Sequence, residues 1–429
     1  MSRKTILTLA TIGVLLILLV MPVLIHRTQG QSKLQSALDD AKRAGFTITF
    51  EEQFGAFKQS PKDSSAFYQG PPHYAGNKAT SNLYDQLKKS PAEKIDPTDV
   101  AEVDNYCNEL QQLRKLTDFT PKRDWNKGVA VLFPEYAQIK GAVKALTTRA
   151  WFRARNGNPS GAASDFDLAV TISNQPAQEK VLIGQLVGIA CDAIVANSAM
   201  HLAGERPKDV KLLQSIDTSL SRVKVPVANS SLSTELNFGI LTAKMIRNGE
   251  LDPTMLDLLA SRGDTPTPEK GFKEKVRIMK LKWNLDYEEA DYIGQMIKMN
   301  AAWGDTEKMR AIEGKRDPGS FSSLMMPSLN QIVVAETRAH CYLRSSRIAL
   351  AATVIRARKG VWPSLEEAAR SVGVTTKDPF GSNSLGYVAE LGGVTVFSYG
   401  PNGVDNRAEK TKSHTVDDVI SEIRLSSIR

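Results

Sequence analysis

An uncharged apolar run near the amino terminus constrains this chain more than any other feature of its sequence. After Ser2-Arg3-Lys4, residues Thr5 to Ile25 contain no charged side chain and consist largely of Leu, Ile and Val. An α-helix rises about 1.5 Å per residue, so a run of this length matches a hydrocarbon core roughly 30 Å thick. The sequence therefore predicts a transmembrane anchor over residues 1–27 that contacts the lipid bilayer through residues 5–25.

The residues around this run favour an anchor that is not cleaved. The segment from Met21 to Arg27 lacks the small-residue pattern at which signal peptides are cut. Arg3 and Lys4 favour a cytoplasmic amino terminus, whereas Arg27 and Lys33 favour the opposite orientation. Because a large following domain translocates largely regardless of its own charges, we expect a single-pass protein of the cell membrane with its carboxy-terminal part outside the cytoplasm.

The composition of the whole chain is that of a folded protein. Of its 429 residues 41% are hydrophobic, which is enough to bury cores without metals or disulfides. The net charge is +8, but basic and acidic residues are interspersed, so we expect no nucleic-acid partner. Cys107, Cys191 and Cys341 lie far apart without a CxxC pair, and we interpret them as small buried hydrophobic side chains.

Helical periodicity dominates the centre of the chain, so we predict a mainly α fold. In residues 28–98 we expect a juxtamembrane helix from Gln31 that stops at Gly45, followed by an extended region rich in Pro and Gly over Ser60 to Lys78. Residues 99–359 are predicted to form a helical repeat-like domain. Its long helix Ile332 to Lys359 is rich in arginines, which we interpret as a solvated face.

The clearest local unit is an αα-hairpin between Ala142 and Ser173. One helix is predicted to end at Asn156-Gly157, and Asn158-Pro159 supplies a cap and a first-turn proline for the next helix. Small and aromatic residues in this unit fall at the offsets of a tetratricopeptide-type repeat: Ala150, Gly157, Ala162, Phe166 and Ala169. Three clean copies at a fixed period are not found, so a helical bundle with repeat-like hairpins is the prediction.

Residues 360–429 change in character and predict a small α+β tail. Ser364-Leu365-Glu366-Glu367 has the pattern of a capping box that opens a short helix. Two strand-like runs, Leu385 to Leu391 and Val394 to Tyr399, are joined by Gly392-Gly393, which predicts a β-hairpin. A polar loop and a last short strand are expected to follow.

Several motifs of this tail resemble the carboxy-terminal motif of the type II secretion major pseudopilin. They are Gly360-Val361-Trp362-Pro363, Asp378-Pro379-Phe380-Gly381, Tyr387, the run Phe397 to Gly403, and Asp417-Asp418-Val419. The resemblance implies a calcium ion, with its ligands carried over to Ser398, Asn402, Asp405, Asp417 and Asp418. Carboxylate, amide and hydroxyl oxygens suit Ca²⁺. The alternative is a loop without an ion, tied by Asx-turns and caps, because basic residues stand between the acids.

The order of anchor, helical hairpins and pseudopilin-like tail is also similar to a group of membrane-anchored bacterial proteins typical of planctomycete-type genomes. That resemblance covers most of the chain and implies architecture without an activity. Sequence patterns for P-loop, Rossmann, zincin and hydrolase-elbow chemistry are missing, and the five histidines are dispersed. We therefore expect no cofactor, unless the loop holds the calcium ion that the pseudopilin resemblance implies.

Three hypotheses about function follow from these observations. The first is a non-enzymatic interaction or scaffold protein that binds protein or peptide partners through its helical domain. The second is a component or mimic of a secretion pseudopilus, which the tail favours and the helical body disfavours. The third is an enzyme whose site is assembled from residues scattered along the sequence.

Overall fold

The structure is a computed structural model that describes residues 3–70, 74–89, 95–251, 279–317, 320–326, 328–403 and 419–425. It is mainly helical with a small three-stranded antiparallel sheet, which confirms the predicted fold class at that level. The helices are α1 Arg3–Arg43, α2 Phe50–Phe54, α3 Ser65–Tyr68, α4 Tyr74–Lys89, α5 Pro97–Glu109, α6 Pro134–Arg155, α7 Pro159–Ser173, α8 Leu182–Glu205, α9 Val210–Leu220, α10 Leu232–Asn248, α11 Leu285–Ala301, α12 Thr306–Glu313, α13 Phe321–Met325, α14 Leu329–Lys359 and α15 Leu365–Ser371.

Four short 3₁₀ helices and three strands complete the described elements. The 3₁₀ helices are Leu110–Lys115, Trp125–Ala130, Pro176–Glu179 and Ala228–Ser231, and the strands are β1 Gly386–Glu390, β2 Gly393–Ser398 and β3 Val419–Arg424. The chain forms two compact units, each assembled from separated segments: residues 1–56, 124–131 and 232–330 in the first, and residues 57–123, 132–231 and 331–429 in the second. The predicted domain division after residues 27, 98 and 359 stays a prediction.

In the first unit, α1 packs against α11. Gly30 permits this contact, because a Cβ at that position would lie 3.0 Å from the ring of Tyr287. The helix ends at Gly45, which takes a positive φ of 87°, while the amide of Phe46 donates to the Ala41 carbonyl. This is the predicted glycine stop, although the juxtamembrane segment and the apolar run form one continuous helix.

In the second unit, α6 and α7 form the predicted αα-hairpin. The amide of Asn158 donates to the Arg153 carbonyl at 2.8 Å, which closes α6 in a Schellman motif around Gly157. The side chain of Asn158 then accepts from the Gly161 amide at 2.9 Å and caps α7. One residue thus ends one helix and begins the next, and this fixes the tight turn between them. Tetratricopeptide-type repetition beyond this hairpin stays a prediction.

Helix α8 is the most apolar described helix of this unit. By length and composition alone it is one that could cross a membrane, and 56% of its most apolar window is buried within the protein. Such burial is also typical of the central helix of a globular unit. The predicted anchor at residues 5–25 lies within α1, and its passage through a bilayer stays a prediction.

The tail sheet has the order β1-β2-β3 with both pairs antiparallel. Glu390 pairs with Gly393, so the two-residue turn consists of Leu391 and Gly392 rather than the predicted pair of glycines. Gly393 instead begins β2, where a Cβ would collide with the carbonyl oxygen of Ile423 in β3. The hairpin and the last strand are therefore confirmed, with the turn moved by one residue.

The capping box of the tail is half formed. The Ser364 hydroxyl accepts from the Glu367 amide at 3.2 Å and begins α15, as predicted. The Glu367 carboxylate does not reach back to the cap but accepts from Lys359 Nζ at 2.7 Å. Glu367 therefore ties the end of α14 to the start of α15.

Two other expectations are corrected and one is confirmed. The region Ser60 to Lys78 is not wholly extended, because it contains α3 and the start of α4. Two arginines of α14 are not simply solvated: Arg347 pairs with Asp217 at 2.8 Å, and Arg344 donates to the carbonyl of Lys377. The three cysteines are buried, as predicted.

Candidate functional site

A groove lies between α4, α6 and α8 of the second unit. It contains a cavity of about 370 Å³ whose lining residues come from these three helices alone: Thr80, Ser81, Tyr84 and Asp85 of α4, Lys144, Thr147, Thr148 and Trp151 of α6, and Ile194, Asn197, Ser198 and His201 of α8. The lining joins aromatic rings with hydroxyl, amide and charged groups. That mixture is typical of a binding site rather than of a packing defect.

The groove follows from sequence spacing once the three helices are packed together. The lining residues of α6 and of α8 each recur at i, i+3, i+4 and i+7, which places them on one face of their helix. A polar stripe on a core helix faces solvent or a ligand, because burying such groups unpaired costs free energy. Here the stripes of α6 and α8 face a cavity.

An aromatic cluster forms one wall of the groove. The rings of Trp151 and His201 stack in parallel with their centroids 4.1 Å apart, and Tyr84 meets both rings edge-on. Lys88 Nζ lies 4.5 Å from the centroid of the Tyr84 ring, which places a positive charge against that face. Trp151, Tyr84 and His201 come from three different helices and together hold the groove at a fixed width.

Glu205 at the end of α8 orients this cluster. Its carboxylate accepts from the indole Nε1 of Trp151 at 2.8 Å and from Nε of Arg155 at 2.9 Å. The Arg155 guanidinium in turn lies 5.3 Å from the centre of the Trp151 ring. The charge of Glu205 is therefore compensated, and the indole cannot rotate away from His201 without losing a hydrogen bond.

His201 is uncharged at neutral pH. Burial, together with the positive charge of Lys88, lowers the pKa of its imidazole to about 4. The side-chain NH₂ of Asn197 lies 3.3 Å from Nε2 of His201 and can only donate, so Nε2 accepts and the imidazole proton resides on Nδ1. The site thus offers a neutral ring and an amide oxygen to a ligand.

A second cavity of about 630 Å³ continues the groove past the aromatic wall. It shares Trp151, Asn197 and His201 with the first cavity, and its other side is formed by Tyr342 of α14 and by residues of β3. Strand β3 approaches α8 closely because Gly204 has no Cβ, which would otherwise collide with the carbonyl oxygen of Arg424. The two cavities adjoin at these three residues, and we call the pair the channel along α8.

The predicted calcium ligand Ser398 has a different set of contacts. Its hydroxyl is fully buried, donates to Asp378 Oδ1 at 2.8 Å and accepts from the Gly400 amide at 3.1 Å. The Asp378 carboxylate also accepts from the amides of Tyr399 and Phe380, each at 2.9 Å. Asp378 and Ser398 therefore join the Asp-Pro-Phe-Gly turn to the end of β2.

The other predicted ligands are not brought together by the described structure. Asn402 is exposed in the turn after β2, whereas Asp405, Asp417 and Asp418 lie outside the described residues. Within the described ranges, no three His, Cys, Asp or Glu side chains converge on a common point. Calcium binding by this loop stays a prediction.

Cys107 and Cys341 are buried inside the fold. Burial raises the pKa of the Cys107 and Cys341 thiols to about 12, so both are protonated at neutral pH. The sequence alone does not indicate a site at His201, because this residue has no neighbour of matching chemistry along the chain. The signal that could have found it was the repeated i, i+3, i+4, i+7 stripe on α6 and α8.

Comparison with known protein families, with curated proteins and with solved structures finds no match.

Proposed function

We propose that this protein is a membrane-anchored, extracytoplasmic scaffold that binds an extended peptide segment of a partner protein in the groove along α8. The observation that carries the proposal is that two cavities adjoin along α8 and share Trp151, Asn197 and His201. An elongated channel with rings at its centre suits a chain-like ligand better than a compact one. In this proposal the protein is not an enzyme, and the bilayer holds it through residues 5–25.

The chemistry of the lining supports a peptide ligand. Asn197 and the hydroxyls of the α4 and α6 stripes can pair with main-chain amides and carbonyls, and the aromatic wall contacts apolar side chains. Asp85 and Lys144 lie in the same cavity, so charges of either sign on the peptide find a partner. The lining residues therefore do not select peptides by charge alone. Such tolerance is a property of adaptable scaffolds.

A peptide-display selection against the detergent-solubilised full chain tests the groove. We expect recovered peptides to share a short consensus, and the Asn197→Arg variant to lose their binding because the guanidinium fills the channel. The matched control is Gln112→Arg, an exposed position outside both cavities, which should bind like the wild type. Peptides that bind both variants equally would argue against the groove.

Fusions of a reporter to each terminus test the location. Alkaline phosphatase at the carboxy terminus should be active and a cytoplasmic fluorescent protein there should be dark, because the folded part lies across the membrane. The opposite pattern would leave the groove inside the cell and overturn the extracytoplasmic assignment.

A secretion-pseudopilus component is the second candidate, supported by the three-stranded tail and by the Asp378–Ser398 link within it. Crosslinking in intact cells separates the two candidates. Secretion-apparatus subunits are expected for the pseudopilus and other envelope proteins for the scaffold. A broad screen for hydrolase activity tests the third hypothesis, that the protein is an enzyme.

A further inference from the structure

A cluster of three aromatic rings lies at the end of the apolar run of α1. His26 stacks on Tyr287 of α11 with centroids 4.9 Å apart, and on Trp283 with centroids 5.6 Å apart. The Tyr287 hydroxyl donates to the His26 carbonyl at 3.3 Å, which fixes the height of this cluster along α1. Lys33 lies about two turns further along α1, with Nζ 5.4 Å from the Tyr287 ring centroid.

The chemistry of the exposed side chains changes at His26. Before it, Val20, Met21, Val23, Leu24 and Ile25 are each 42–53% exposed, so about half of each apolar side chain is exposed. After it, α1 packs on α11, and Gly30 lets the two helices come close. The uncovered apolar surface therefore ends where the aromatic cluster begins.

The helical residues 279–283 lie beside His26, where the exposed apolar surface of α1 ends. Met279 and Trp283 are 67% and 57% exposed, whereas Met296 and Met299 of α11 are fully buried. Lys280 and Lys282 are exposed next to the apolar pair. We call Met279, Lys280, Lys282 and Trp283 the 279–283 patch.

The dimensions place the patch at one level relative to a bilayer. If residues 5–25 fill the hydrocarbon core, at about 1.5 Å per residue they span about 30 Å, and His26 is the first residue beyond it. Tryptophan and tyrosine prefer that level, because their rings are apolar and their polar atoms reach water. Lysines at the same level meet anionic headgroups.

We infer that the 279–283 patch is a second membrane contact, in which Trp283 and Met279 enter the headgroup region and the two lysines bind anionic phospholipids. This inference rests on the proposed membrane anchoring by residues 5–25. The occupant is the bilayer surface itself, because the patch is continuous with the uncovered apolar face of α1 and carries charge complementary to anionic lipid. The contact would set the tilt of α11 and hold the first unit against the membrane.

Fluorescence quenching in vesicles tests the inference with the full chain. The protein is reconstituted in phosphatidylcholine and phosphatidylglycerol vesicles whose acyl chains carry bromine either near the headgroup or near the chain end. Trp283 is one of five tryptophans, so its emission is obtained by subtracting the spectrum of Trp283→Phe from that of the wild type. We expect shallow bromine to remove most of this difference signal and deep bromine to remove little.

The matched control is Trp362→Phe. Trp362 lies in the tail, where its indole donates to the Glu390 carbonyl and its ring lies against Arg356 of α14. Neither brominated lipid should therefore quench its difference signal. Lys280→Gln combined with Lys282→Gln should weaken the shallow quenching of Trp283 when phosphatidylglycerol is present. Equal quenching with and without these lysines would overturn the lipid-binding role assigned to them.

Vesicle flotation separates the two levels of the inference. A protein that fails to float with the vesicles overturns the anchor and the patch together. If the protein floats but neither brominated lipid quenches the Trp283 emission, the membrane contact of the 279–283 patch is excluded and the anchor is not. Acrylamide quenching of that same emission in the floated sample should then be strong, as for a ring in water.

Discussion

Helices α6 and α8 pack against each other and both bury ionisable groups, but they stabilise these groups in opposite ways. On α6, Arg149 donates from Nε and Nη2 to Asp165 at 2.8 and 2.7 Å, and both residues are 1% exposed. On α8, Asp192 is 5% exposed, and no described residue donates a hydrogen bond of ordinary geometry to its oxygens. Burial raises the pKa of this carboxyl well above its usual range, and Ser173 only partly opposes that shift.

The comparison shows what each kind of burial requires. A charged pair in a dry interior is tolerated when a guanidinium presents its fork to a carboxylate and the remaining donors find partners. Arg149 meets this condition, since Nη1 also donates to Asn108 at 2.8 Å. Without such a partner the group gives up its charge, as Asp192 does by holding a proton and His201 by releasing one.

The largest effect is expected at a second charged cluster, which holds the start of α6. Arg123 donates to Glu179 at 2.7 Å and to Glu135 at 2.9 Å, and all three side chains are almost wholly buried. Arg123→Met leaves two buried carboxylates without their counter-ion and should lower the free energy of unfolding by about 5 kcal/mol. Chemical denaturation of the solubilised full chain, followed by circular dichroism, measures it. Lys122→Met, at the exposed neighbouring position, should change it little.

A smaller loss is expected for Arg149→Met, about 3 kcal/mol, because Arg153 still donates to Asp165 at 2.9 Å. The same denaturation experiment measures it. Arg153→Met serves as the comparison, since it removes a partly exposed partner from the same carboxylate and should cost about 1 kcal/mol or less. Equal losses for the two variants would mean that the buried fork is no stronger than the exposed contact.

Local features of this fold follow from short sequence patterns. The Asn158 cap, the Gly45 stop, the Ser364 cap and the tail hairpin each depend on residues within a few positions of one another. Such signals involve backbone hydrogen bonds that any tertiary context must satisfy. They can therefore be predicted without knowledge of the surrounding domain.

The charged pairs and the groove could not be predicted in this way. Arg123 and Glu179 are 56 positions apart, and no spacing rule joins them. The groove requires three helices, of which α4 begins in a region predicted to be extended. Ser398 illustrates the same limit, because its partner Asp378 comes from a turn 20 positions earlier.

The third prediction concerns the proton on Asp192. The unfolded chain loses this proton near the ordinary pKa of an aspartate, whereas the folded chain keeps it to a higher pH, so wild-type stability falls as the pH rises above about 4. Asp192→Asn removes the titration. Its melting temperature should match the wild type near pH 4 and exceed it increasingly towards pH 8. Thermal unfolding across this range measures the difference, and a difference that does not change with pH would mean that the folded carboxyl is ionised.

The smallest effect is expected at His201, where stability changes with pH in the opposite direction. The unfolded chain takes up a proton near pH 6.5 and the folded chain only near pH 4, so stability falls as the pH is lowered through this window. His201→Phe keeps a ring against Trp151 but cannot be protonated. Between pH 6.5 and pH 4 its free energy of unfolding should therefore fall by about 1 kcal/mol less than that of the wild type. Asn197→Leu removes the neighbouring amide and should keep the wild-type slope. If His201→Phe also keeps that slope, then the imidazole is hydrated in the groove, and α8 does not hold its ionisable groups in the uncharged state that distinguishes it from α6.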